Sequence, residues 1–133
     1  MIYLMYQIEK LQENKLYIKA TGTFPPPVAK HFAKEFNDLT KNAKDDLSII
    51  IDITDAIFLK LDSIKIILEL LKRNNNKLYR SAFIITQNPS LSKEIEYILE
   101  KADSPKRKIV SSLEEAKKWI GLEEVIIKKK EQK

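Results

Sequence analysis

The apolar positions of this chain follow two periods. In KLYIKATGTF, residues 15–24, Leu16, Ile18 and Ala20 alternate with Tyr17, Lys19 and Thr21, the spacing of a strand with one buried face. With the apolar stretch before it, this reads as an antiparallel pair joined by the polar turn QEN, residues 12–14. PPP, residues 25–27, stops the ladder, because proline has no N–H to donate and restricts the residue before it. The period then lengthens: Val28, Phe32, Phe36, Leu39 and Ala43 fall on one helical stripe, with His31, Glu35, Asp38 and Asn42 opposite. LSIIIDI, residues 47–53, is a continuous run rich in β-branched residues, as expected of a strand covered on both faces. From about Ser63 to Arg73 a broad apolar arc through Ile64, Ile66, Ile67, Leu68, Leu70 and Leu71 predicts a largely buried helix, which NNNK ends. AFIIT, residues 82–86, is the second central strand. Asn88-Pro89 opens a third helix, with Asn as cap and Pro at the first helical position, and Leu91, Ile95, Ile98, Leu99 and Ala102 as its stripe. KIV, residues 108–110, is a brief edge strand. The following SSLEEAKKWIG holds a capping box from Ser112 to Glu115, a Gly121 stop, and Leu113, Ala116, Trp119 and Ile120 as docking residues.

The element order is therefore β-β-α-β-α-β-α-β-α, an α/β fold. Strands separated by helices imply a mixed, mostly parallel sheet of about four to five strands with four helices, the first strand antiparallel to the second. Residues 1–124 read as one domain and residues 125–133 as a basic, flexible tail. In such sheets functional loops gather at the carboxyl ends of the parallel strands, here TGTFPPP, TDAIFLKLD and TQNPS.

Composition narrows the chemistry. The chain has 133 residues, two of them glycine, and no cysteine. Scarce glycine removes the P-loop and the dinucleotide fingerprint, which need several glycines to bring backbone N–H groups onto phosphate. Absent cysteine excludes disulfides, thiolate catalysis, iron–sulfur clusters and cysteine-ligated zinc. One histidine cannot build a multi-histidine metal site, and no cofactor is expected. The terminal KKKEQK, with four lysines and one glutamate, supplies three of the five net positive charges, and Lys and Glu mix along each helix; nucleic acid is not an expected partner. No secretory signal or transmembrane segment is read, so a cytoplasmic location is expected.

Candidate chemistry centres on Asp62-Ser63, at the expected start of the second helix. Either side chain can accept hydrogen bonds from the first free N–H groups, and a carboxylate there suits the positive end of the helix dipole, together worth about 1 kcal/mol. The alternative is that Asp62 and Ser63, flanked by Thr54, Asp55 and Gln87, recognise a polar group of a ligand or partner. The connecting turn AIFLKL, residues 56–61, is unusually apolar for a loop. Phe58 and Leu59 either cover the sheet end or form the apolar centre of a partner surface rimmed by Asp55, Lys60 and Gln87. The carboxylate pairs Asp45-Asp46 and Glu114-Glu115 flank a strand start and occupy a helix's first turn. His31 lies on a polar helix face with no route to Ser63, so no nucleophilic triad forms and no enzymatic activity is expected.

The hairpin ending in TGTF, the strand IIIDI, the turn into LDSIKIILELLKR, the strand SAFIIT and the ending KIVSSLEEAKKWI, in this order, resemble the STAS superfamily. They are most similar to its SpoIIAA-like branch, sometimes grouped with Sec14-type domains. The resemblance covers residues 6–122 and implies a SpoIIAA-like fold. Anti-anti-sigma factors of the superfamily carry Asp-Ser-Ser-Gly at this helix start, the second Ser being phosphorylated. Here Asp62 and Ser63 match the first two positions, Ile64 stands at the phosphorylated one, and Lys65 replaces Gly. The resemblance thus implies a protein-interaction or regulatory module that binds a protein partner or a second copy of itself and lacks the phosphorylatable serine. The Sec14 association implies the alternative, a carrier of lipid or a small apolar ligand, with Phe58, Leu59 and Leu61 lining a cavity.

Overall fold

A computed structural model of the chain describes residues 6–56, 61–85, 89–102 and 104–121, with the side chains of 89–91 excepted. The hairpin comes first: β1 (Tyr6–Gln12) and β2 (Lys15–Gly22) pair antiparallel, from Tyr6 opposite Ala20 to Gln12 opposite Lys15. Its turn is Glu13-Asn14, and Asn14 takes φ 61°, a left-handed conformation that asparagine tolerates better than most residues. Then follow α1 (Pro26–Thr40), β3 (Leu47–Ala56), α2 (Leu61–Arg73), a 3₁₀ turn (Asn75–Lys77), β4 (Leu78–Ile84), α3 (Pro89–Ala102), β5 (Arg107–Val110) and α4 (Leu113–Ile120). The five strands lie side by side in chain order, and β2 through β5 are parallel.

One face of the sheet is covered by α1, α2 and α3, and the other by α4. Alternation along the strands divides the residues between the two cores. Leu16, Ile18, Ala20, Ile49, Ile53 and Phe83 meet Ala29, Phe36, Ile64, Leu71, Ile95 and Ile98 on the first face. Tyr17, Ile50, Ala82, Ile84 and Val110 meet Ala116 and Ile120 on the second. The element order matches the sequence reading throughout, and the stripes of α2, α3 and α4 hold wherever their side chains are described.

Three local expectations change. Pro26 and Pro27 do not merely end the hairpin; they form the first turn of α1, where their missing N–H groups cost nothing, behind an extended Pro25. The stripe of α1 is shifted by one residue near its end. Leu39 is 48% exposed, while Thr40 is buried with its hydroxyl donating to the Phe36 carbonyl at 2.9 Å. The strands β3 and β4 are longer than their apolar runs: β3 continues through Thr54 and Asp55 to Ala56, and β4 starts at Leu78. The helix α4 starts as expected. Ser112 is extended and accepts from the Glu115 N–H at 3.2 Å, while Glu115 returns its carboxylate to the Ser111 N–H at 2.8 Å, one residue earlier than in the usual box. Gly121 ends it at φ 76°, the left-handed stop that glycine adopts without strain. Among the described residues no helix is long and apolar enough to cross a membrane.

Candidate functional site

The carboxyl ends of β2 and β3 meet the start of α2. A register shift between Lys19 and Thr21 lets Thr21 pair with Asp55 and Gly22 with Ala56, so Thr54 and Asp55 are strand residues at the sheet end, not loop residues, and both are exposed. Beyond Gly22, at φ 69°, the chain turns through Phe24 at φ 51°. A bulky residue there is unusual, at a cost of roughly 1–2 kcal/mol, and its surroundings hold it in place. The Phe24 ring is buried edge-on to Tyr6 at 6.1 Å and Phe32 at 5.7 Å.

Ser63 supplies the other constraint. The helix begins at Leu61, so Asp62 and Ser63 are its second and third residues rather than its cap. The Ser63 side chain is fully buried and its hydroxyl donates to the Phe24 carbonyl at 2.8 Å, across 39 residues of sequence. This corrects the capping expectation for Ser63: the hydroxyl is a strut between α2 and the loop that follows β2. Asp62 is exposed in the first turn, where its charge faces the positive end of the helix dipole. Next to it Leu61 is 64% exposed, and Ile64, at the resemblance's phosphorylated position, is buried in the core. Phe58, Leu59, Lys60 and Gln87 lie outside the described residues, as do Asn88 and residues 122–133.

A polar cluster borders this end on the α4 face. The Tyr17 hydroxyl donates to Asp52 Oδ2 at 2.9 Å, and the Thr54 N–H donates to Asp52 Oδ1 at 3.0 Å. Lys19 pairs with Asp55 at 3.1 Å. Burial acts to raise the Asp52 carboxyl, but the bonds from Thr54 and Tyr17 and the nearby Lys19 outweigh it and hold the group below the usual carboxylate range. Burial, then the bond to Asp52, push the Tyr17 phenol well above its ordinary value. On the opposite face Tyr6 donates to Glu35 Oε1 at 2.7 Å and its oxygen meets His31 Nδ1, which must then be the donor. The lone histidine is thus tied to β1 instead of being merely solvated. Among the described residues no hydrogen bond joins it to Ser63, and no group of three potential ligands could hold a metal ion.

The sequence pattern did not reveal the Phe24 carbonyl, the Tyr17–Asp52 pair or the Tyr6–His31–Glu35 chain. Each joins residues 25 or more positions apart. The one available signal was chemical: Tyr17 and Asp52 are polar residues inside otherwise apolar strands, and buried polar groups need partners.

No family model matches the chain, and no curated protein matches it significantly in sequence. Solved structures do match. An uncharacterised protein of the DUF3478 family with a SpoIIAA-like fold, from Shewanella loihica PV-4, superposes with a TM-score of 0.68 at 19% identity, over 86% of this chain and 91% of that one. The anti-sigma factor antagonist SpoIIAA in its unphosphorylated form superposes with a TM-score of 0.65 at 11% identity, over 87% of this chain and 96% of that one. The fold is SpoIIAA-like, an α/β domain with a mixed, mostly parallel five-stranded sheet and four helices.

Proposed function

We propose that this chain is a non-enzymatic STAS-like interaction module whose partner surface is the sheet end at Thr54, Asp55, Leu61 and Asp62, completed by Phe58, Leu59, Lys60 and Gln87. The observation that carries this reading is the contrast at the start of α2, where Leu61 stands 64% exposed while Ser63 is fully buried. An exposed large apolar side chain at a sheet end that also exposes Asp62, Asp55 and Thr54 has the make-up of a small interface centre with a polar rim. The surface acts without a phosphoserine switch. Ile64 has no hydroxyl, and the Ser63 hydroxyl is spent on the Phe24 carbonyl, out of a kinase's reach. The occupant is a protein: a distinct partner or a second copy of the chain. Native mass spectrometry of the purified protein, alone and with proteins captured from its own cells, tests this. Leu61→Asp is expected to abolish the association while leaving the melting temperature within a few degrees. Undiminished association in Leu61→Asp, or association that follows phosphate on Ser63, contradicts the proposal.

A further inference from the structure

A second polar surface lies at the other end of the sheet, beside the amino ends of β4 and β5. The Trp119 indole N–H donates to the Ser81 carbonyl at 2.9 Å, which fixes the ring between α4 and these strands. The Arg80 guanidinium lies over that ring, 4.3 Å from its centroid, and donates through Nη1 to the Trp119 carbonyl at 2.9 Å. The Lys108 ammonium stands 5.1 Å from the ring centroid. With Ile109, Glu115 and Lys118 these residues line a cleft of about 390 Å³ that opens to solvent.

Among the described lining residues three cations, Arg80, Lys108 and Lys118, face one carboxylate, Glu115, so an excess of positive charge remains. Glu115 is the carboxylate on the wall, and one of its oxygens accepts from both the Ser111 N–H and the Ser111 hydroxyl. Those bonds, with the nearby charges of Lys108 and Lys118, hold its pKa below the usual range, so it is ionised; its hydrogen bonds go to its own helix start, and it offsets only part of the charge of the two lysines. Among the described residues no carboxylate forms an ion pair with Arg80, Lys108 or Lys118. Arg80 is also preorganised: the Trp119 ring and carbonyl hold its guanidinium, with the Tyr79 ring 5.4 Å away, so little side-chain freedom remains to be lost on binding. The neighbouring Arg107 is committed elsewhere, to the Leu71 carbonyl and Asn75.

We propose that this cleft docks an acidic peptide segment of a protein partner, with an Asp or Glu carboxylate on Arg80 and neighbouring acids on Lys108 and Lys118. A peptide fits better than a nucleic acid for two reasons. The indole has cations packed against it rather than a free platform for base stacking, and Glu115 on the wall opposes a continuous phosphate run while leaving room for spaced carboxylates. The surface is distinct from the sheet end at Asp62, so either can fail independently.

The test is fluorescence anisotropy of the full chain with a short labelled peptide alternating Glu and Gly, beside a Gln-Gly control. Saturable, salt-sensitive binding of the Glu peptide is expected, weakened about tenfold or more in Lys108→Glu/Lys118→Glu. Both lysines are exposed, and an unchanged melting curve confirms that the fold is kept. Lys72→Glu, on exposed α2 surface, is expected to leave affinity within about twofold. No saturable binding, equal binding of the Gln peptide, or an equal loss in Lys72→Glu overturns the proposal. So does tighter binding of oligothymidylate with the same dependence on Lys108 and Lys118, which would make the cleft a nucleic-acid site.

Discussion

Two serines near helix starts look alike in sequence and behave differently. Ser112 caps α4: its side chain accepts from an N–H three residues ahead, and the chain within a few residues contains everything the interaction needs. Ser63 lies inside α2 and donates in the other direction, to a carbonyl 39 residues earlier. The cap sets where a helix begins. The strut sets where a helix begins relative to the rest of the fold, and so fixes the geometry of the sheet end around Asp62. Its partner carbonyl belongs to a residue in a costly conformation, Phe24 at φ 51°, which the Tyr6 and Phe32 rings help to hold.

Substitutions separate the two roles. Phe24→Ala empties the aromatic cluster that positions the acceptor and is expected to cost about 3–5 kcal/mol by chemical denaturation; a loss below 1 kcal/mol would mean that the ring does not hold the loop. Ser63→Ala strands the buried Phe24 carbonyl and is expected to cost about 1–3 kcal/mol. Ser112→Ala, a plain cap deletion at a partly exposed site, should cost about 0.5–2 kcal/mol. The comparison sharpens through local exchange: hydrogen-exchange protection should fall in the first turn of α4 for Ser112→Ala, and in both α2 and the loop after β2 for Ser63→Ala. Protection lost in α2 alone would reduce Ser63 to a local residue like Ser112.

The polar neighbour of the strut gives a smaller, pH-dependent effect. Asp52 has a folded pKa below its unfolded value, so its contribution is fully present above the unfolded carboxylate pKa of about 3.9 and is lost as pH falls through the folded value. Tyr17→Phe removes one bond to the carboxylate, and the Asp52 titration seen by NMR should move to higher pH. The phenol of Tyr17 works in the opposite sense. Its raised pKa stabilises the fold below the unfolded tyrosine value of about 10, and this is lost as pH climbs toward the folded value. An Asp52 titration indifferent to Tyr17→Phe would dissolve the pair. Least of all should Leu61→Asp change stability: at 64% exposure its cost is expected within about 0.5 kcal/mol.

The contrast between the serines also marks what could be read from the chain. The hairpin, the buried β3 run, the α4 cap and the Gly121 stop were legible because each is settled by neighbours within one or two turns of chain. Thr54 and Asp55 looked like loop residues because they are polar, but both belong to β3, where Asp55 pairs with Thr21 and the sheet end is open to solvent. Leu39 looked like core because periodicity records only that a residue is apolar; Thr40 took the buried place by bonding its hydroxyl to its own helix. Asp62 was legible as a residue of a helix start, although the helix begins at Leu61 and takes Asp62 into its first turn. The Ser63 strut was not legible, since the acceptor is a backbone carbonyl and backbone atoms leave no trace in side-chain patterns. Of the apolar turn, Phe58 and Leu59 lie outside the described residues, and their role as core or interface rests on Phe58→Ala, measured for stability and association together.

The geometry of the sheet end rests on the engagement of the Ser63 hydroxyl inside the fold. The most direct measurement is NMR observation of the Ser63 hydroxyl proton in the native protein near neutral pH. A resolved hydroxyl resonance that exchanges slowly with water, together with a downfield shift of the Phe24 carbonyl carbon that disappears in Ser63→Ala, is the predicted result. A Ser63 hydroxyl that exchanges with water as fast as a surface serine, with the Phe24 carbonyl shift unchanged in Ser63→Ala, would contradict it.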